Sequence, residues 1–270
     1  MLLADQSMMN IGFFMLFPLL TVHLTRDLGF DATGVGLVLG ARNLVQQGAA
    51  PLGGSLSDRV GYKPVIVAGF LVRATGFLLF ALSHDVLGVI AGAFVTAVGG
   101  ALFDPPSRAS LAYLTPEHSR QDVYAAAGTA GWLGQVIGPL LGSLLLPVSF
   151  EVVTIASAAA FLFAAIQAGL LLPGGMRGDT GGLSMIASIG GALRDRDFMW
   201  FTGLLLGFYF LSSQPTITVP LLAARLVGPE AIGPLFAIQA ALAGHPLKIS
   251  GQRVPAGPTR TQSLKVPADS

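Results

Sequence analysis

The sequence contains no cysteine and few charged residues. Only 11% of its 270 residues are Asp, Glu, Lys or Arg, whereas soluble domains carry about 25%. The absence of cysteine excludes disulfides, thiolate zinc sites and thiol catalysis. The net charge of +1 provides no excess of basic residues for a polyanion, so no nucleic-acid partner is expected.

Signatures of catalysis and of ATP binding are missing as well. The four histidines are dispersed without metal-ligand spacing, and no nucleophile stands in a recognisable catalytic constellation. The sequence has no G-x-x-x-x-G-K-[ST] phosphate-binding loop. We therefore expect no enzymatic activity, no cofactor and no metal site.

Apolar residues, by contrast, make up 53% of the chain, and the mean hydropathy is +0.70. They form continuous runs of about 20 residues, which at 1.5 Å per residue cross a hydrocarbon layer of ~30 Å. Continuous rather than alternating runs favour helices over a β-barrel. The sequence predicts an all-α membrane protein with about eight transmembrane helices, at residues 3–24, 33–54, 64–83, 86–106, 122–146, 150–172, 198–221 and 229–244.

Basic residues are distributed unevenly among the predicted connections. One set of connections carries most of them, namely Arg59, Lys63, Arg120, Arg177, Arg194 and Arg196. The positive-inside rule places this set in the cytoplasm. We therefore expect a multi-pass protein of the cell (inner or plasma) membrane, with the N-terminus and the C-terminal tail both in the cytoplasm. Because the first basic residue is Arg26, no cleaved signal peptide is expected.

A Gly-rich and then basic segment interrupts the otherwise short connections. After it, the pattern Pro18-Leu19-Leu20 of the first span returns as Pro220-Leu221-Leu222 in the seventh, as in proteins built from repeated halves; chance recurrence of common membrane residues is the alternative. We predict an N-terminal six-helix transmembrane bundle at 1–172, a cytoplasmic inter-half loop at 173–197, the first two helices of a truncated C-terminal bundle at 198–244, and a disordered polar tail at 245–270.

A charged stretch between the second and third spans is the most specific motif. Residues 54–66 read GSLSDRVGYKPVI, which resembles the G-x-L-a-D-r-x-G-r-k-x-x-l loop of the major facilitator superfamily. The residues that match are Gly54, Leu56, Asp58, Arg59, Gly61, Lys63 and Ile66, and Tyr62 stands where the family usually has a basic residue. The resemblance implies a bundle of the major facilitator type whose Asp58 and Arg59 latch the cytoplasmic side. An ordinary positive-inside turn is the alternative.

A second motif lies in the fifth span. Residues 134–143 read GQVIGPLLGS, which resembles the G-x(3)-G-P-x(2)-G-G element of the drug:proton antiporter branch, with Ser143 in place of the last glycine. Gly134, Gly138 and Gly142 share one helix face and allow close packing, and Pro139 bends the helix. The alternative is small-residue packing with no bearing on transport direction.

Several ionisable side chains fall within predicted spans, where each is a candidate for substrate binding or coupling. Arg42 and Gln46 share a face of the second span, with an interhelical bond to the backbone as their alternative role. Arg73 lies in the third span, where a structural role, pairing with a carboxylate or snorkelling, is the alternative. Asp5 is the only carboxylate of the first span and the candidate proton carrier, unless it is a solvated helix end. Asp104 precedes Pro105-Pro106 as a helix N-cap would, with Arg108 as its ion-pair partner.

The resemblance, which extends to bacterial multidrug transporters, implies proton-coupled efflux of small amphipathic drugs by alternating access. Val95 stands where many members have an arginine, so that arginine's role is not transferable. The expected partners are a small-molecule substrate, protons and the lipid bilayer. A metabolite/proton symporter, or a non-transporting subunit that completes its bundle with a partner supplying the missing helices, remain alternatives. As half a carrier, the chain alone is expected not to transport.

Overall fold

The computed structural model describes residues 2–83, 85–178, 194–228, 233–236 and 238. These residues form seven long α-helices and one 3₁₀-helix, Glu117–Ser119. The α-helices are α1 Leu2–Arg26, α2 Ala32–Val60, α3 Tyr62–Leu82, α4 Val86–Leu114, α5 Arg120–Leu145, α6 Phe150–Leu171 and α7 Arg196–Leu226. The predicted eighth span is described only at residues 233–236 and 238, which are helical. The predicted polar tail and residues 179–193 of the inter-half loop lie outside the described residues.

Three helices begin at side-chain caps after short connections. Asp31 caps α2, Asp85 caps α4 and Ser149 caps α6, each accepting a hydrogen bond from a backbone N–H three residues further on. Such caps satisfy N–H groups that have no partner within the helix. They define the starts of these helices to within one residue of the predicted spans.

Three helices run well past their predicted ends. α2 continues to Val60, α4 to Leu114 and α7 to Leu226. The prediction that Asp104 caps a new helix is therefore wrong, because Asp104, Pro105 and Pro106 all lie inside α4. Proline is tolerated within membrane helices, where neighbouring groups replace the lost backbone bond; here the Ser110 hydroxyl also donates to the Pro106 carbonyl, at 2.7 Å.

Helix packing is built on glycines. α1 packs on α5 and α6, α3 packs on α4 and α6, and α2 packs on α4. Between α3 and α4 the close contacts are reciprocal: a Cβ on Gly69 would lie 2.9 Å from the Gly99 carbonyl, and a Cβ on Gly76 would lie 3.1 Å from the Gly92 carbonyl. Phe70, Phe77 and Phe161 fill the fully buried core between α3 and α6.

Four helical segments in the described part of the chain are long and apolar enough to cross a membrane: Gln6–Arg26, Tyr62–Leu82, Val86–Leu114 and Phe150–Leu171. α2 and α5, also predicted as spans, are rich in glycine and less apolar. The middle of α2 carries Arg42, Asn43, Gln46 and Gln47. Its lower hydropathy therefore reflects polar side chains that belong to the site described next.

Candidate functional site

Four predicted candidates meet inside the bundle. Arg42 and Gln46 come from α2, Arg73 from α3 and Asp104 from α4. Only 5% of Arg42 and 3% of Arg73 is exposed, and Gln46 Nε2 donates to Asp104 Oδ2 at 2.7 Å. Arg73 Nη2 and Gln46 Oε1 both lie where a Cβ on Gly100 would be, so this glycine makes room for them. The two arginines are buried, whereas Gln46 and Asp104 are half-buried. We call Arg42, Gln46, Arg73 and Asp104 the buried polar cluster.

Phenylalanine rings surround the two guanidinium groups. Arg42 Cζ lies 5.0 Å from the ring centroid of Phe13 and 4.9 Å from that of Phe17. Arg73 Cζ lies 5.6 Å from Phe13 and 5.7 Å from Phe161. These distances allow cation–π attraction, which is strongest where water is excluded. Phe13 is therefore shared by both arginines.

The buried polar cluster contains two basic side chains and one acidic side chain. Arg42 and Arg73 repel each other, and Asp104 is the carboxylate that attracts both. Arg42 Nη2, Gln46 Oε1 and Arg73 Nε are buried without a hydrogen-bond partner in the described part of the chain. Buried polar atoms without partners are rare in folded proteins and often mark a place where a ligand, ion or water binds.

Two further candidates do not join the cluster. Arg108 is exposed on α4, and in the described part of the chain no ion pair connects it to Asp104. The predicted Asp104–Arg108 pair is therefore wrong, because Asp104 faces Gln46 on α2. Asp5 lies near the start of α1, and its side chain lies outside what the structure describes, so its coupling role stays a prediction.

The 54–66 motif lies at the end of the bundle where α2 ends and α3 begins, which we call the basic end. Asp58 and Arg59 belong to the last turn of α2 rather than to a loop, and only Gly61 separates the two helices. Gly61 has φ 111°, which favours glycine. Lys63 lies in the first turn of α3.

Tyr62 and the segment after α6 complete the basic end. The Tyr62 hydroxyl interacts with the Asp58 carboxylate, and the Tyr62 N–H donates to the Met176 carbonyl at 2.9 Å. A Cβ on Gly178 would overlap Asp58 Oδ1. Sequence reasoning treated Tyr62 only as a departure from the family pattern and missed these contacts. Its burial beside a carboxylate gave no signal in the sequence.

Gly53, rather than Gly54, makes the close approach of α2 to α4. A Cβ on Gly53 would overlap the Ala101 carbonyl, whereas one on Gly54 would lie 3.6 Å from Pro105, an ordinary contact. Gly54 is the glycine that belongs to the 54–66 motif. Gly53 could have been found only from its seven-residue spacing after Gln46, which places both residues on one face of α2.

The glycines of the second motif pack directly on α1. A Cβ on Gly134 would lie 2.9 Å from the Ser7 carbonyl, one on Gly138 would lie 2.9 Å from the Ile11 carbonyl, and one on Gly142 would overlap the Met15 carbonyl. The predicted close packing is confirmed, and Pro139 lies within the same helix. A role in the direction of transport stays a prediction.

A cavity of about 230 Å³ opens beside the buried polar cluster. It lies between the first halves of α2 and α4, at the end of the bundle opposite the basic end. Its lining residues are Leu37, Val38, Ala41, Arg42, Ile90, Ala93 and Phe94. Arg42 is therefore the charged residue that links the cavity with the cluster.

Long apolar helices packed around a charged cluster are typical of multi-pass helical membrane proteins. Residues 6–253 match the family model described as Major Facilitator Superfamily. The chain belongs to the major facilitator superfamily, as the 54–66 motif implied. Members of this family are transporters rather than enzymes as a rule.

Curated relatives match most of this chain. It is 38% identical over 242 residues to the multidrug resistance protein MdtH of Sodalis glossinidius (strain morsitans). It is 39% identical over 242 residues to the multidrug resistance protein MdtH of Yersinia pestis (strain Pestoides F). Each alignment covers 89% of this chain and 60% of the relative, so the chain spans about three fifths of these relatives' length.

Solved structures share the fold at low sequence identity. The human organic anion transporter MFSD10 (TETRAN) superimposes with a TM-score of 0.66 at 20% identity, covering 89% of this chain and 68% of that chain. A POT family transporter in complex with a thioalcohol conjugated peptide gives 0.62 at 15% identity, covering 84% and 50%. These likenesses confirm the predicted all-α bundle of the major facilitator type.

Proposed function

We propose that this chain forms the first bundle and the start of the second bundle of a proton-coupled exporter of small amphipathic molecules. The observation that carries the proposal is the buried polar cluster, whose ionisable groups lie among helices apolar enough to span a membrane. Charges at such depth are costly and mark substrate or ion pathways. The relatives' description as multidrug resistance proteins supports export of drug-like compounds.

The contact between α5 and the start of the second half supports a two-bundle carrier. A Cβ on Gly233 would lie 2.9 Å from the Pro139 carbonyl and would overlap the Ser143 hydroxyl. Gly233 belongs to the predicted eighth span, so the second helix of the predicted second half contacts the glycine-rich helix that packs on α1. Alternating access requires both bundles around a midplane site, so the 270-residue chain alone is expected not to transport.

A chimera tests the function. Residues 1–226 replace the corresponding part of the MdtH protein of Yersinia pestis, and everted membrane vesicles are energised to form a proton gradient. A panel of cationic, neutral and anionic amphipaths should dissipate this gradient in vesicles with the chimera. Vesicles with the 270-residue chain, or with the chimera carrying Asp5→Asn, should show no such response.

The parent protein provides the reference in the same vesicles. A chimera present at the parent's level that responds to no compound moved by the parent would contradict the proposal. Accumulation of a metabolite together with protons in intact cells would instead support the symporter alternative. Proton-coupled flux through the 270-residue chain, well above its Asp5→Asn variant, would contradict the need for a second bundle.

A further inference from the structure

The cavity beside Arg42 is apolar except for that one cation. Its other lining residues are aliphatic or aromatic, and no carboxylate is among them. At about 230 Å³ it is smaller than the ~300–1,000 Å³ typical of drug-sized pockets. It therefore fits one ring system, or the charged end of a larger molecule.

Arg42 has hydrogen-bonding capacity that the described residues leave unused. Nη1 donates to Asn43 Oδ1 at 2.9 Å, but Nη2 is buried without a partner in the described ranges. Phe13 and Phe17 face the guanidinium. These rings hold Arg42 in place without satisfying its N–H groups.

The surrounding charges favour an anion. Asp104 attracts both Arg42 and Arg73, while its Oδ2 already accepts from Gln46. Two guanidinium groups thus share one carboxylate in the cluster. A cationic ligand would meet repulsion from both arginines, whereas a carboxylate would supply the missing negative charge.

We propose that this cavity binds a small amphipathic monocarboxylate. The Arg42 guanidinium attracts the carboxylate, and Leu37, Val38, Ile90 and Phe94 hold the apolar body. The inference rests on the proposed transport function, for which it names the substrate class. A membrane fatty acid presents the same chemistry, so the test below separates the two sources.

The test measures binding to the purified 270-residue chain in detergent. The probes are tritiated 1-naphthaleneacetate and 1-naphthaleneacetamide, which share one shape and differ in charge. The chain should bind the acid about tenfold more tightly than the amide. Arg42→Gln should abolish this preference, and Arg42→Lys should retain part of it because lysine keeps the charge but not the planar fork.

Two more variants separate the cavity from a general charge effect. Ile90→Trp fills the cavity and should abolish binding of both probes while Arg42 remains. Arg225→Gln removes an exposed arginine at the end of α7 and should bind as the unmodified chain does. Monodisperse elution on size exclusion establishes that each variant is folded.

Equal binding of acid and amide, or an acid preference that survives Arg42→Gln, would overturn the inference. Displacement of the probe by oleate at lower concentrations than by unlabelled naphthaleneacetate would assign the cavity to fatty acids and overturn the substrate class. If the chimera transports while the chain binds no acid, the proposed function stands and this inference fails. If the acid binds in an Arg42-dependent way while the chimera does not transport, this inference stands and the proposed function fails.

Discussion

Gly138→Ala tests whether the α5 glycines set the distance between α1 and α5. A Cβ at this position would lie 2.9 Å from the Ile11 carbonyl O, the Met15 N and the Phe14 Cβ, whereas ordinary contact begins at 3.4 Å. Two of these three atoms are backbone atoms, so relief requires the helices to separate by about 0.5 Å, and close-packed interiors resist such shifts. We expect Gly138→Ala to destabilise the bundle.

Gly128 provides the matched control on the same helix. A Cβ at Gly128 would meet nothing within 4 Å. Both alanine variants gain helix propensity, worth roughly 1 kcal/mol relative to glycine, so the difference between them isolates the cost of overpacking. That cost is typically ~1–3 kcal/mol, and we expect Gly138→Ala to be less stable than Gly128→Ala by this amount.

Unfolding by SDS in mixed micelles measures this difference. Trp200 on α7, the other tryptophan of the chain, is replaced by Phe in every variant. The fluorescence of Trp132, which lies on α5 and is 42% exposed, then follows the loss of the α1–α5 contact. The midpoint for Gly138→Ala should fall at a lower SDS fraction than that for Gly128→Ala. Equal midpoints, or a higher midpoint for Gly138→Ala, would refute the argument that backbone contact at Gly138 holds the two helices together.

Two further predictions concern the basic end. Because the chain has no cysteine, a membrane-impermeant maleimide added to intact cells should label Leu87→Cys and spare Lys63→Cys; the reverse pattern would contradict a cytoplasmic basic end. Tyr62→Phe removes the hydroxyl that faces Asp58, so the segment after α6 should open more often and trypsin should cut after Arg177 several-fold faster. An unchanged cleavage rate would show that the hydroxyl does not hold this segment.

The helices and most of their ends were predictable, but the last turns of α2 and α4 were not. Long apolar runs identify membrane helices because the bilayer fixes their length. The same signal fades where a helix leaves the apolar region. The sequence therefore predicts a loop for the polar last turn of α2, although this helix continues to Val60. The proline pair of α4 was read as a helix start, whereas the helix continues through it to Leu114.

The members of the buried polar cluster could be predicted on each helix separately, but the contacts between the helices could not. Arg42 and Gln46 share a face because they are four residues apart, and their depth in a span marked them as candidates. The contact of Gln46 with Asp104 depends on how α2 and α4 are rotated against each other. No local pattern encodes that rotation, and the stacking of Arg42 on Phe13 of α1 was missed for the same reason.

The α2–α4 contact explains why the proline pair of α4 and Gly53 of α2 belong together. Pro105 has no N–H, so the Ala101 carbonyl, four residues earlier, lacks its usual helical donor. Gly53 lies directly against that carbonyl, and any larger residue would push α2 away. Gln46, two turns earlier on α2, donates to Asp104 beside the same proline. The half-buried Asp104 carboxylate and the close helix approach thus depend on one contact between α2 and α4. Widening that contact at Gly53 would also weaken the bond that orients Asp104.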